Sequence, residues 1–200
     1  MIFEMKRIDY YPQLYKGELY HIYNRGNGKE NIFFSKRNYH YFLLQYEKYL
    51  SRLLDTFAFA LLPNHFHLLV RIKTDYPEVV SEQFRKFFIS YSMSINREQN
   101  REQKRKGNLF QRQFKRKLID DEKYFYSAVY YIHSNPVHHS IIKNLTEYPY
   151  TSYMLFEDES ETKLCKNEVF EWFGGKENFF QYHRKFNKDT YSNNLMIEDE

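Results

Sequence analysis

Two histidines one residue apart, His65 and His67, lie in the stretch Leu62-Pro63-Asn64-His65-Phe66-His67-Leu68-Leu69-Val70. If this stretch is a strand, side chains alternate, so both imidazoles project from one face and Phe66 and Leu68 from the other. Two imidazoles side by side suit a divalent metal, because neutral imidazole nitrogen is a common ligand for first-row metals. The same spacing also fits two structural histidines, one buried and hydrogen-bonded and one solvated.

A second cluster precedes Pro136: Tyr124, Tyr126, Tyr130, Tyr131, His133 and Asn135. On a helix, Tyr131 and Asn135 are four apart and share a face, one turn from each other. Brought beside the two histidines, they would complete a small catalytic site. His65, His67 and Asn135 would hold a metal, and Tyr131 would attack a phosphorus that the metal polarises. A free phenol has a pKa near ~10, so it needs such help at neutral pH. Tyr130 is an equally eligible phenol at this point.

The third pattern is electrostatic. Arg85, Lys86, Arg97, Arg101, Lys104, Arg105, Lys106, Arg112, Lys115, Arg116 and Lys117 are opposed within that span only by Glu98 and Glu102. Phe87, Phe88, Tyr91, Phe110 and Phe114 are interleaved with them. Clustered cations with exposed rings are the footprint of a nucleic-acid surface, the cations taking phosphates and the rings taking splayed bases. A solvated basic face would show the same charges.

These residues need elements to position them. Residues 18–24 alternate as a first strand, and Arg25-Gly26-Asn27-Gly28 punctuates it as a glycine-containing loop. Ser35 caps a helix running from Lys36 to about residue 54. Residues 55–62 alternate again, Pro63-Asn64 makes a turn, and a third strand over 65–73 carries both histidines. A second helix opens at Pro77 and runs to about residue 98, and Gly107 breaks the pattern beyond it. Residues 108–119 read as a strand or extended arm. Asp120-Asp121-Glu122 begins a third helix that ends near Asn135, before Pro136. This order predicts an α+β fold, an antiparallel sheet with packed helices in a ferredoxin-like arrangement, plus a C-terminal helical extension. The corresponding division is a catalytic domain over 1–155, an extension over 156–186 interrupted at Gly174-Gly175, and a loose acidic tail over 187–200.

Composition narrows the class. At 200 residues the chain is long enough for one domain with a real core. The net charge of +4 is modest, so the placement of positive charge matters more than its sum. Twenty Tyr and 19 Phe supply rings well beyond what surface contacts need, and most belong in the core. Cys165 is the single cysteine, which excludes an intrachain disulfide and a thiolate cluster. No stretch approaches the ~18–20 apolar residues of a membrane span, and the start lacks the apolar core of a signal peptide. The expectation is a cytoplasmic protein associated with the nucleoid.

The segments PNHFHLLV, RKGNLFQRQFKRKLIDDEKY and YYIHSNPV together resemble the HUH-type single-tyrosine transposases, in particular the REP-associated tyrosine transposase branch. The resemblance covers roughly residues 17–155. It implies that His65 and His67 bind Mg²⁺ or Mn²⁺, with Asn135, a glutamine in many relatives, as third ligand. It also implies that the nucleophile is Tyr131, five residues before the proline of the NPV motif, rather than Tyr130. The implied activity is a single-stranded DNA endonuclease and strand transferase forming a 5′-phosphotyrosine link and a free 3′-hydroxyl. The implied partner is single-stranded DNA with an imperfect hairpin beside a short tetranucleotide. On that reading residues 97–117 grip the hairpin, Asn24 and Arg25 contact the single-stranded part, and the protein is a monomer or a homodimer. His21, His133, His138 and His139 have no matched role. A catalytically silent hairpin-binding regulator and a water-using metal phosphodiesterase are the alternative readings.

Overall fold

Alternating apolar stretches build a four-stranded antiparallel sheet from β1 (Leu19–Arg25), β2 (Leu54–Leu62), β3 (His65–Ile72) and β4 (Lys115–Ile119). The strand order is β2-β3-β1-β4. The computed structural model describes residues 11–102 and 107–185. Helix α1 (Lys36–Leu50) connects β1 to β2, and α2 (Pro77–Glu102) connects β3 to β4. This is the ferredoxin-like α+β arrangement that the element order predicts.

Each face of the sheet has its own core. On one face α1 and α2 pack together over Ile22, Phe42, Phe66, Phe84, Phe87 and Tyr91. On the other, α3 (Glu122–His138) lies over Leu19, Ala58, Ala60 and Leu69 with Phe125, Val129 and Ile132. Period-two alternation divides the strand residues between the two cores, broken in β2 by a register shift that leaves Phe57 and Ala58 in the same one. Pro63 and Asn64 form the two-residue turn of the β2–β3 hairpin, with Leu62 paired to His65. Tyr23 of β1 pairs with His67 on one side and Lys115 on the other.

Several boundaries differ from the sequence expectation, and α2 runs on to Glu102 rather than ending near 98. Helix α1 stops at Leu50, because Leu54 is already paired with Ile72 in the sheet. Of residues 108–119 only Lys115–Ile119 form a strand. The preceding chain departs from the ladder where β1 ends, leaving an isolated Gly26–Phe110 bridge and turning Leu109 and Phe110 into the core. Helix α3 continues past Pro136 to His138. Proline lacks one N–H, but in the last helical turn that omission costs a single backbone bond. The His139 and Ile141 N–H groups still reach the Asn135 and Pro136 carbonyls at 3.0 and 2.9 Å.

After α3 come α4 (Tyr153–Glu157), α5 (Lys166–Trp172) and α6 (Lys176–Lys185), with positive-φ Gly174 and Gly175 between the last two, as their composition predicts. Val169 of α5 and Phe179 of α6 enter the same core as Phe125 and Val129. Helix α3 is therefore held between the sheet and the C-terminal helices. The tail assigned to 187–200 lies outside the described residues.

Candidate active site between strand β3 and helix α3

The alternation of β3 directs His65 and His67 toward α3, as their spacing predicts, and Phe66 into the opposite core. Across the gap, α3 presents Tyr131 and Asn135 from one face. His65 Nε2 lies 2.9 Å from Asn135 Oδ1. The rings of His65 and His67 are 5.1 Å apart, and the Tyr131 ring meets His67 edge-on at 5.4 Å. Tyr130 points elsewhere, its ring lying 6.2 Å from Tyr182 and 5.5 Å from His183 on α6. Of the two adjacent phenols, only Tyr131 lies against the histidine pair.

Sequence reading overlooked two members of this cluster. His21 on β1 is a diagonal neighbour of His67, and its Nε2 lies 2.8 Å from His67 Nδ1. It also stacks on Tyr23 at 5.0 Å and meets Tyr131 edge-on at 5.9 Å. The signal available in the sequence was its placement in the alternating first strand, but without the β1–β3 register nothing aims it at His67. The second is Asn64, whose Oδ1 lies 2.6 Å from His65 Nδ1. At the end of α3, the exposed His139 brings its ring to 4.7 Å from His65, and His138 bonds the Ser134 hydroxyl at 3.1 Å.

The donor chemistry of this cluster fits a cation. The Asn64 amide is oriented by its Nδ2, which donates to the Lys29 carbonyl at 3.3 Å, so its oxygen faces His65. His65 thus has an amide oxygen at each ring nitrogen, while a neutral imidazole carries one N–H. Asn135 Nδ2 is buried without a hydrogen-bond partner. Turning that amide over would satisfy its nitrogen and strand its oxygen, so some buried group goes unpaired either way. An ion between Nε2 and Oδ1 removes the conflict. Among the described residues no three His, Cys, Asp or Glu side chains form a metal-binding group, so the third donor here would be an amide oxygen.

The cationic segment divides between the two faces. Arg112 and Arg116 border a groove of about 660 Å³ between α2 and residues 108–116, together with Arg85, Asn96 and Met93. Arg116 also donates to the Pro12 carbonyl and lies over the Phe114 ring at 5.4 Å. Lys117 points the other way, 4.4 Å over the ring of Tyr124 on α3, and its burial lowers the ammonium pKa. Lys115 shares its side of β4 by alternation. Arg97 is exposed on α2. The side chain of Arg101, and all of Lys104, Arg105 and Lys106, lie outside the described residues. Asn24 and Arg25 also part: Asn24 is buried beside the groove with its Nδ2 on the Gln111 carbonyl at 3.3 Å, while half-exposed Arg25 pairs across strands with His65.

The expectation that the interleaved rings form an exposed base-stacking platform is corrected. Phe87, Tyr91 and Phe110 are buried in the α1–α2 core, and Phe88 and Phe114 pack partly buried against it. Helical and irregular segments cover this face of the sheet, and their apolar side chains are consumed in doing so.

No protein-family model matches the chain. A Haemophilus influenzae protein provisionally named a REP-associated tyrosine transposase is 27% identical over 113 residues, covering 50% of this chain and 58% of that relative. The chain thus matches less than two thirds of that protein's length. Among solved structures, a REP-associated tyrosine transposase bound to a REP hairpin shares the fold, with a TM-score of 0.59 and 17% identity over 76% of this chain and 86% of that one. The resemblance read from the three motifs is matched in sequence by the first of these proteins and in fold by the second. Among the described residues no helix is long and apolar enough to cross a membrane.

Proposed function

We propose that this protein is a REP-associated tyrosine transposase, a metal-dependent endonuclease and strand transferase acting on single-stranded DNA that carries a hairpin. The observation that supports this most directly is the convergence of Tyr131, His67, His65 and Asn135 between β3 and α3. The kinship in sequence and fold supports the same reading.

In this reading His65, His67 and Asn135 hold Mg²⁺ or Mn²⁺. The bound ion supplies Lewis-acid polarisation of the scissile phosphate. The Tyr131 oxygen attacks the phosphorus, a P–O bond to Tyr131 forms, and the bond to the 3′ oxygen breaks. The proton lost by the phenol is balanced by the proton that the departing 3′ oxygen takes up. The resulting 5′-phosphotyrosine retains the energy of the cleaved diester, so a new 3′-hydroxyl can reverse the step. Arg25, paired with His65, and Lys115, paired with Tyr23, supply positive charge on the same sheet face for the reacting strand. Arg112 and Arg116, at the groove on the other face, take hairpin phosphates, with the exposed Arg97 of α2 adding a further cation.

The experiment is to incubate single-stranded oligonucleotides, carrying hairpins from the DNA flanking the gene, with the protein and Mn²⁺. The expected product is a denaturant-resistant protein–DNA adduct that is lost on chelation. Tight binding with neither adduct nor cutting across several hairpins would support the silent regulator. Cutting without an adduct would point to a water-using phosphodiesterase.

A further inference from the structure

We infer that His21 and Asn64 are the positioning residues that fix which ring nitrogen each site histidine presents: both His67 and His65 are held as Nδ1–H tautomers with Nε2 turned to the ligand. The inference rests on the metal reading above for its consequence and for the His67 tautomer, while the His65 tautomer rests on geometry alone. Each ring makes a short contact through Nδ1, 2.8 Å to His21 Nε2 and 2.6 Å to Asn64 Oδ1.

For His65 the direction of the bond is set by the neighbouring backbone. Asn64 Nδ2 donates to the Lys29 carbonyl, so the atom facing His65 is an oxygen, which can only accept. The proton is therefore on His65 Nδ1, and Nε2, aimed at Asn135, carries a lone pair. For His67 the partner is another imidazole, and both rings are almost fully enclosed. With Nδ1–H of His67 donating to His21 Nε2, the His67 lone pair is left on Nε2. The opposite assignment, with His21 Nε2–H donating to His67 Nδ1, would make the same contact but place a proton on the nitrogen that an ion needs. A ligating histidine commonly donates its other N–H to an outer acceptor, which sets the ring's orientation and raises its basicity.

These two acceptors tie the site to parts of the chain remote from the His-x-His strand. His21 belongs to β1, so the register of β1 against β3 sets His67. Asn64 is clamped by the glycine loop, since its backbone carbonyl accepts from Gly26 N–H at 2.7 Å while its side chain reaches Lys29. The loop after β1 therefore helps to orient His65 through Asn64.

The test uses the full chain and two readouts. Imidazole ¹⁵N NMR of the metal-free protein at about pH 8 reports tautomers directly, and the expected result is Nδ1–H for both His65 and His67. A proton on Nε2 of either would overturn the assignment. The second readout is Mn²⁺ affinity by calorimetry for His21→Phe and Asn64→Leu, which keep bulk and remove the acceptor. Each should bind Mn²⁺ about 10–100-fold more weakly while unfolding cooperatively. His21→Gln and Asn64→Asp, which restore an acceptor oxygen, should recover most of that loss. Wild-type affinity in the folded His21→Phe and Asn64→Leu proteins would overturn the positioning role. Correct tautomers in a wild-type chain that takes up no Mn²⁺ would support the hydrogen-bond assignment and overturn the metal reading on which its consequence rests.

Discussion

His65 Nε2 and Asn135 Oδ1 are 2.9 Å apart although 70 residues separate them in the chain. Neither residue finds this partner locally, because β3 and α3 belong to different layers. A ring nitrogen and an amide oxygen face each other while the other end of the amide is buried without a hydrogen-bond partner. Asn135→Leu should therefore bind Mn²⁺ at least about tenfold more weakly and lose adduct formation, with hairpin affinity nearly unchanged. Undiminished Mn²⁺ binding in the variant would remove Asn135 from the ligand set.

Adjacent phenols on a helix point about 100° apart, and this separates their roles. Tyr131 lies against His67 and His21, whereas Tyr130 lies against α6. Tyr131→Phe should abolish the covalent adduct and spare hairpin binding, while Tyr130→Phe should keep adduct formation within a few fold. The reverse pattern would assign the nucleophile to the neighbouring residue.

The two faces of the sheet at β4 lead to different expectations for the cations on β4 and just before it. Removing Arg112 and Arg116 together should weaken hairpin binding and reduce the slope of log affinity against log salt by about 2. Lys115→Ala, on the tyrosine face, should lower the cleavage rate more than affinity. Equal effects of both changes on the salt slope would mean that one continuous surface holds the DNA.

The buried chain of hydrogen bonds behind α3 makes stability pH-dependent. His183 Nδ1 donates to the Phe179 carbonyl at 2.8 Å, His183 Nε2 lies 2.9 Å from His133 Nδ1, and His133 Nε2 lies 2.8 Å from the Ser152 hydroxyl. Burial holds the pKa of His133 well down and that of His183 down to about 4. Both are neutral in the folded protein, while the unfolded chain takes up their protons below ~6.5. The unfolded state then binds more protons, so stability is fully present above ~6.5 and falls as pH drops toward 4. Urea unfolding should show a loss on the order of 3 kcal/mol across that window from His183 alone. His183→Met should make the profile shallower while His133 keeps its share, and an equally steep profile in that variant would assign the loss to other groups.

Gly26 has an ordinary φ of −61°, so its requirement is space rather than backbone freedom. A Cβ there would stand 1.9 Å from the Glu30 carbonyl oxygen. Gly26→Ala should cost ~1–3 kcal/mol in urea unfolding and, by shifting the loop that holds Asn64, weaken Mn²⁺ binding. A variant of unchanged stability and affinity would show that the loop tolerates the shift.

The element order, both faces of β3 and the pairing of Tyr131 with Asn135 were legible in the sequence, because alternation and helical spacing are local properties. The glycine pair between α5 and α6 was legible for the same reason. The end of α3 was not, because the rule that proline ends a helix neglects how little its missing N–H costs in a final turn. Nor was the fate of Phe87, Tyr91 and Phe110, which composition offered as base-stacking rings and packing drew into the core.

What the sequence determined by itself is which residues can share a face: His65 with His67, Tyr131 with Asn135, Lys115 with Lys117. Only the tertiary structure decided which faces meet. The β1–β3 register brings His21 to His67, the glycine loop aims the Asn64 amide at His65, and β4 sends Arg116 away from its neighbours on either side. Local periodicity fixes a side chain's direction relative to its own element. Its partner depends on strand order and layer packing, set by burial summed over the whole chain.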